Sequence, residues 1–246
     1  MRRIALIVEY DGTNYGGWQR QNNAPSIQEE LEKNIKAVTG EASCVQGSGR
    51  TDSGVHALAQ TAHFDTDSRI PAERFSQALN AGLPPDIRVR RSFEAPQDFH
   101  ARFSAKRKHY RYVIDNSPTA SAIYGRYRLH YHAPLDADAM QKAAEFIVGE
   151  HDFACFKAAG TVVKSTVRTV YRCDVTKEND IISIDVEGNG FLYNMVRIIA
   201  GTLIEIGAKK YPPERVKELI ESRDRKLAGA TAPAKGLTLV CVEYPS

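Results

Sequence analysis

Gly47-Ser48-Gly49-Arg50-Thr51-Asp52-Ser53-Gly54-Val55-His56 lies between two strand candidates, Ala42–Gln46 and Ala59–Asp65, and its reading decides the architecture. Three glycines in eight residues let the backbone turn sharply and approach a ligand closely. Two strands in succession therefore sit at the middle of the first half. Upstream, Ser26–Thr39 predicts a helix, with Pro25-Ser26 at its start, Glu29 three residues after Ser26, and Gly40 past its end. Before it, Arg3–Tyr10 predicts a strand. Downstream, Ala72–Ala81 predicts a helix stopped by Gly82 and Pro84-Pro85, and Ile87–Ala95 a further strand. The order is β-α-β-β-α-β.

The second half repeats that order with insertions. Lys106–Ile114 reads as a strand, as does Tyr127–His132, and Asp136–Val148 as a helix closed by Gly149. Strands are expected near Asp152–Lys157, Thr169–Thr176 and Ile181–Glu187, the last two joined by a turn at Lys177–Asp180. A long apolar helix, Phe191–Ile206, a polar one, Pro213–Ser222, and a closing strand, Leu237–Tyr244, complete the chain. The expected fold is α+β, two similar ferredoxin-like halves with mainly antiparallel sheets covered by helices. The halves divide at residues 1–104 and 105–246.

The 246 residues carry 33 Lys+Arg against 30 Asp+Glu, a net charge of +3, and 42% hydrophobic residues. That composition is globular rather than disordered or fibrous. No run of eighteen apolar residues suggests a membrane span, and Glu9 and Asp11 interrupt Ile4–Val8 too soon for a signal peptide. Cys44, Cys155, Cys173 and Cys241 lack Cys-x-x-Cys spacing and read as buried thiols of a reducing cytoplasm. The charge is uneven. Residues 99–132 hold Arg102, Lys106, Arg107, Lys108, Arg111, Arg126 and Arg128 against Asp115 alone, +6 in 34 residues, which leaves the remainder at −3. Screening makes such a local strip matter more than the total.

Chemistry can sit in four places. In the glycine-rich loop, an Asp at position 52 suits a nucleophile or general base, and Arg50 suits pairing with it or with a phosphate. The plain alternative is a surface turn. A dinucleotide cradle fits poorly, because Asp52 stands where the third glycine belongs. Asp65-Thr66-Asp67 reads as turn residues, not a metal-binding pair. His130 and His132 lack an acidic or Cys partner in sequence and suit a solvated or RNA-facing role. On Lys106–Tyr112, alternation puts Lys106, Lys108, Tyr110 and Tyr112 on one face and Arg107, His109 and Arg111 on the other. Basic and aromatic side chains together suit a phosphate backbone with splayed bases, or a lysine-guarded edge strand. In the apolar Phe191–Gly201 segment, Arg197 requires a partner if buried, and a carboxylate is expected, unless it snorkels to the surface.

Gly49-Arg50-Thr51-Asp52-Ser53-Gly54-Val55-His56-Ala57 closely resembles the catalytic motif of the tRNA pseudouridine synthase A family. The resemblance extends along nearly the whole chain. It takes in Tyr10-Asp11-Gly12-Thr13, Gly17-Trp18-Gln19-Arg20-Gln21, Leu79-Asn80, Leu83-Pro84, Asp86-Ile87, Phe99-His100-Ala101-Arg102 and Lys108-His109-Tyr110-Arg111-Tyr112. Further matches are Gly149, His151-Asp152-Phe153, Gly190 through Arg197, and Gly236-Leu237. It implies the pseudouridine synthase fold with an active cleft between the halves, Asp52 as nucleophile, Tyr110 stacked on the target uracil, and Arg197 paired with Asp52. Arg50 would help flip the nucleotide. Lys106, Lys108, Arg111, Arg126, Arg128 and His56 are the expected substrate contacts. The implied reaction isomerises uridines 38, 39 and 40 of the tRNA anticodon arm, in a cytoplasmic homodimer with no cofactor or metal. An ionised Asp52 would attack C1′ or remove a proton from C2′, and a close Arg197 would favour that ionised form. Two other readings stand beside it: a non-catalytic RNA-binding protein or chaperone, and an N-glycosidase, for which no second acid is evident.

Overall fold

The computed structural model describes residues 1–160 and 162–245. The chain runs β1 (Arg2–Tyr10), α1 (Ile27–Thr39), β2 (Gln46–Gly47), β3 (His56–Thr66), α2 (Phe75–Asn80), β4 (Ile87–Ala95), β5 (Arg107–Asp115), β6 (Leu129–His130), α3 (Ala137–Glu145), β7 (Gly149–Asp152), β8 (Val167–Glu178), β9 (Ile181–Gly188), α4 (Met195–Gly207), α5 (Arg215–Ser222) and β10 (Leu237–Glu243). It divides into two compact units, Met1–Lys106 with Thr238–Ser246, and Arg107–Leu237.

In the first unit the strand order is β4-β1-β3-β10, with β2 against β3. β1 pairs antiparallel with β3 and β4, whereas β10 joins β3 in parallel through Thr238↔His56 and Leu239↔Ala57. Strand periodicity turns Ile4, Leu6, Val8 and Tyr10 to one face, where all four are buried. α1 lays Ile27, Leu31 and Ile35, four residues apart, into that core. Ser26 starts α1 by accepting the Glu29 amide on Oγ (3.3 Å), and Gly40 ends it at φ 77°. α2 packs Phe75 edge-on against Phe64 of β3, ring centres 5.4 Å apart.

The second unit is an antiparallel sheet in the order β5-β9-β8-β7, with β6 beside β5 in parallel. α3 packs on β8 and on α4, whose Ile198, Ile199, Leu203 and Ile206 are fully or almost fully buried.

Several expectations need correction. Residues 238–246 belong with the first unit rather than the second half, because β10 completes the sheet at β3. Residues 42–45 form no strand: the Val45 amide donates to Glu32 Oε1 of α1 (3.1 Å) instead of a ladder. Asp65 and Thr66 lie inside β3, and Arg3 holds the Asp65 carboxylate bidentately at 2.8 Å. The segment 154–156 is a 3-10 turn, and Asp152 at the end of β7 accepts the Ala154 amide at 3.1 Å. Only Leu129–His130 of the 127–132 stretch is strand. α4 begins at Met195, because Asn194 takes a left-handed conformation (φ 59°) that a helix cannot continue through. Cys155 and Cys173 are buried, and burial pushes both thiols up to about 12, but Cys44 is exposed and Cys241 half-buried.

Candidate active site

In the first unit the loop after β2 is held from every side. The Ser48 amide donates to the Thr61 carbonyl (2.8 Å), Ser48 Oγ bonds Gln60 Oε1, and Gln60 Nε2 donates to the Gly49 carbonyl (3.0 Å). Tyr10 and Thr51 share a hydrogen bond between hydroxyls at 2.8 Å in the core, and burial raises the Tyr10 phenol above its ordinary range. The Trp18 amide donates to the Thr51 carbonyl (3.1 Å). Asp52 then opens a tight turn in which the Val55 amide returns to the Asp52 carbonyl at 3.1 Å. Gly54 occupies its third position at φ 76°, a conformation that the turn requires and L side chains resist. Asp52 is half-buried and Arg50 exposed, with Arg50 Nε donating to Gln19 Oε1 at 3.2 Å.

Residues that the sequence reading matched only by resemblance acquire physical roles here. Gly17, at φ 107°, lies so close to the loop that a Cβ there would meet the Thr51 carbonyl oxygen at 2.4 Å. His56 is buried, and its Nδ1 accepts the Gly12 amide at 3.1 Å. The same nitrogen lies 3.1 Å from Asp11 Oδ1, an oxygen already accepting the Thr13 amide and hydroxyl. The Gly12 amide and the Asp11 carboxylate thus converge on one ring nitrogen and fix the orientation of the imidazole. Buried in this way, His56, the expected substrate contact, supports the loop from within. Tyr10, Gln19, Ser48 and Gln60 are supports the sequence reading did not assign. The available signal was the cluster Gly12, Gly16, Gly17 and the lone Trp18.

In the second unit Tyr110 and Tyr112 point into the sheet's covered face. Tyr110 is 8% exposed and stands edge-on to Phe191, ring centres 5.3 Å apart at 89°. Tyr112 is fully buried and donates its hydroxyl to the Pro233 carbonyl at 2.9 Å. Burial raises its phenol, with the Arg197 charge working against that rise. Arg197 is half-buried; its Nε donates to the Ala232 carbonyl and a terminal nitrogen to Asn194 Oδ1, both at 2.8 Å. Two of its donors are thus fixed by neutral oxygens, a partner set the expectation of a carboxylate did not include.

The opposite face of β5 corrects the reading of a uniformly basic strip. Arg111 Nε contacts Asp185 at 2.9 and 3.2 Å, and His109 Nε2 meets the same carboxylate at 2.5 Å. Burial favours the neutral acid, but these two partners prevail and hold the Asp185 carboxyl below its usual range. Arg107 and Arg172 share Glu187 at 3.1 and 2.7 Å. The cross-strand acids follow from register, since Arg111 stands opposite Asp185 and His109 opposite Glu187. Lys106 and Arg126 are exposed, Lys108 is half-buried, and the Arg128 guanidinium lies 4.0 Å from the centre of the Tyr124 ring. His130 Nε2 lies 2.9 Å from the Ser117 carbonyl, within hydrogen-bonding distance.

Among the described residues no group of three or more His, Cys, Asp or Glu side chains is arranged to hold a metal ion. No helix there is long and apolar enough to cross a membrane. A family model described as tRNA pseudouridine synthase matches residues 6–104 and 143–245. Proteins named tRNA pseudouridine synthase A are similar over the full length. That of Ruminiclostridium cellulolyticum is 54% identical over 99% of this chain and 100% of its own. Those of Acetivibrio thermocellus and Thermoanaerobacter sp. are 50% and 49% identical with the same coverage. A solved archaeal box H/ACA sRNP Nop10-Cbf5 complex aligns at a TM-score of 0.38 and 11% identity, over 82% of this chain and 44% of that one, too loosely to add to these matches.

Proposed function

The chain belongs to the tRNA pseudouridine synthase family, and from that premise we propose that it isomerises uridines 38, 39 and 40 in the anticodon arm of tRNA, with Asp52 as nucleophile. The reaction breaks the N1–C1′ bond, turns the uracil, and rejoins it through C5 to C1′. The C5 proton leaves and N1 gains one, so the formula is unchanged and no oxidant or group donor takes part. The Asp52 carboxylate attacks C1′ or takes the C2′ proton. Tyr110 stacks on the uracil, Arg197 balances the Asp52 charge, and Arg50 fills the space of the flipped nucleotide, whose unstacking costs a few kcal/mol.

The observation that supports this reading most is the immobilised turn at Asp52. An acid held in such a loop beside Arg50 gains nothing for plain RNA binding, because it repels phosphate. Lys106, Lys108, Arg126 and Arg128 grip the tRNA backbone, with little reading of sequence. Arg111, committed to Asp185, is withdrawn from that set. The working form is a cytoplasmic homodimer.

Anticodon stem-loop transcripts with a single uridine at position 38, 39 or 40 test the proposal, after digestion and chromatography of nucleosides. Pseudouridine without free uracil is expected, lost in Asp52→Asn while binding persists. Free uracil would indicate a glycosidase, and binding without conversion an RNA-binding protein.

A further inference from the structure

The turn His100–Ser104 of the first unit is locked in place and yet presents a bare aromatic ring. The Ser104 amide donates to the His100 carbonyl (2.9 Å), and the His100 amide to Ser104 Oγ (3.0 Å). His100 Nδ1 accepts the amides of Arg102 (3.1 Å) and Phe103 (3.4 Å). From below, the Ala101 amide donates to His63 Nδ1 (3.2 Å) and its carbonyl accepts the Tyr244 hydroxyl (2.7 Å). Phe103 nevertheless stays 76% exposed, with the His100 ring 4.3 Å from its centre and the Arg102 guanidinium 5.6 Å. A large apolar ring kept in water on a turn whose backbone is already fixed has only its own side-chain rotation to lose when it meets a partner. From Phe99 to Ile114 the sequence holds five Lys or Arg and no Asp or Glu, so the local chemistry favours a polyanion with aromatic faces.

We propose that this turn is a second tRNA contact, in which Phe103 stacks on an unpaired nucleobase and Arg102 takes the adjoining phosphate. Every base offers a face for stacking, so the contact adds affinity without sequence preference. It rests on tRNA being the partner, and concerns binding rather than the reaction at Asp52.

Binding of an unmodified tRNA transcript to the full-length protein tests it. Phe103→Ala should weaken binding about 5- to 150-fold, as loss of one stacked base does, with the unfolding midpoint unchanged because the ring is exposed. Phe103→Trp should restore affinity and show fluorescence quenching on tRNA addition, while Phe103→Leu should not restore it. Arg102→Ala should lower the slope of log Kd against log salt by about one; Phe103→Ala should leave the slope alone. Wild-type affinity in Phe103→Ala overturns the proposal. So does a change in oligomeric mass with tRNA affinity retained, which would make Phe103 a contact between protein copies. Wild-type protein that binds tRNA but makes no pseudouridine refutes the enzymatic reading and leaves the Phe103 result readable by itself.

Discussion

Asp52 depends on neighbours that never touch the reacting atoms in this scheme. Tyr10, Trp18 and Gln60 fix the backbone on either side of it through Thr51 and Gly49. Gly17→Ala tests that support, since the new Cβ would press on the Thr51 carbonyl in a backbone conformation already unfavourable to L residues. We expect a loss of about 1–3 kcal/mol in urea unfolding, with a fall in turnover larger than the fall in tRNA affinity. Tyr110→Phe separates two duties: a mild loss of turnover leaves stacking alone, and a severe one assigns the C5 proton to the hydroxyl. At this scale the turn that carries Asp52 was legible, because three glycines in eight residues mark a sharp change of direction between strands. The inward turn of the His56 ring to a backbone amide was not legible, because a histidine after a glycine-rich loop gives no sign of it in sequence.

The elements were legible where periodicity and caps agree. Ser26 and Gly40 bound α1, and Ile87–Ala95 is recovered residue for residue as β4. Legibility failed where side chains replace ladder bonds, as Glu32 does for Val45 and Asp152 for Ala154. It also failed where charge is balanced across strands, which a linear count of lysines and arginines cannot register. Arg111→Ala should therefore leave tRNA binding within about twofold but lower stability by about 1 kcal/mol, read from paired binding and urea-unfolding curves. The Phe99–Arg102 segment couples to β3 through His63, whose imidazole burial and the nearby Arg3 push down to about 4. A histidine kept neutral when folded binds its proton first in the unfolded chain. Its stabilisation is complete above about pH 6.5 and is lost as pH falls toward 4, up to about 3 kcal/mol. Unfolding free energy should fall through that window, and a non-titrating His63→Leu should flatten the fall.

Across the whole molecule, a net charge of +3 understates the surface offered to RNA, although less than the sequence total of the 99–132 strip implies, because Asp185 and Glu187 return part of it. The remaining cations predict steep salt dependence: Lys106→Ala and Arg126→Ala should each lower the log–log slope of tRNA binding by about one. The division into two units was visible in the repeated element order. The return of β10 to the first sheet was not, because a C-terminal strand carries no mark of the partner it pairs with. Whether Asp52 performs a base isomerisation is decided by tritium release from tRNA labelled at uracil C5. One tritium should be released per uridine converted, none with Asp52→Ala, and tRNA binding by that variant should stay close to wild type. Full release by Asp52→Ala would contradict that role.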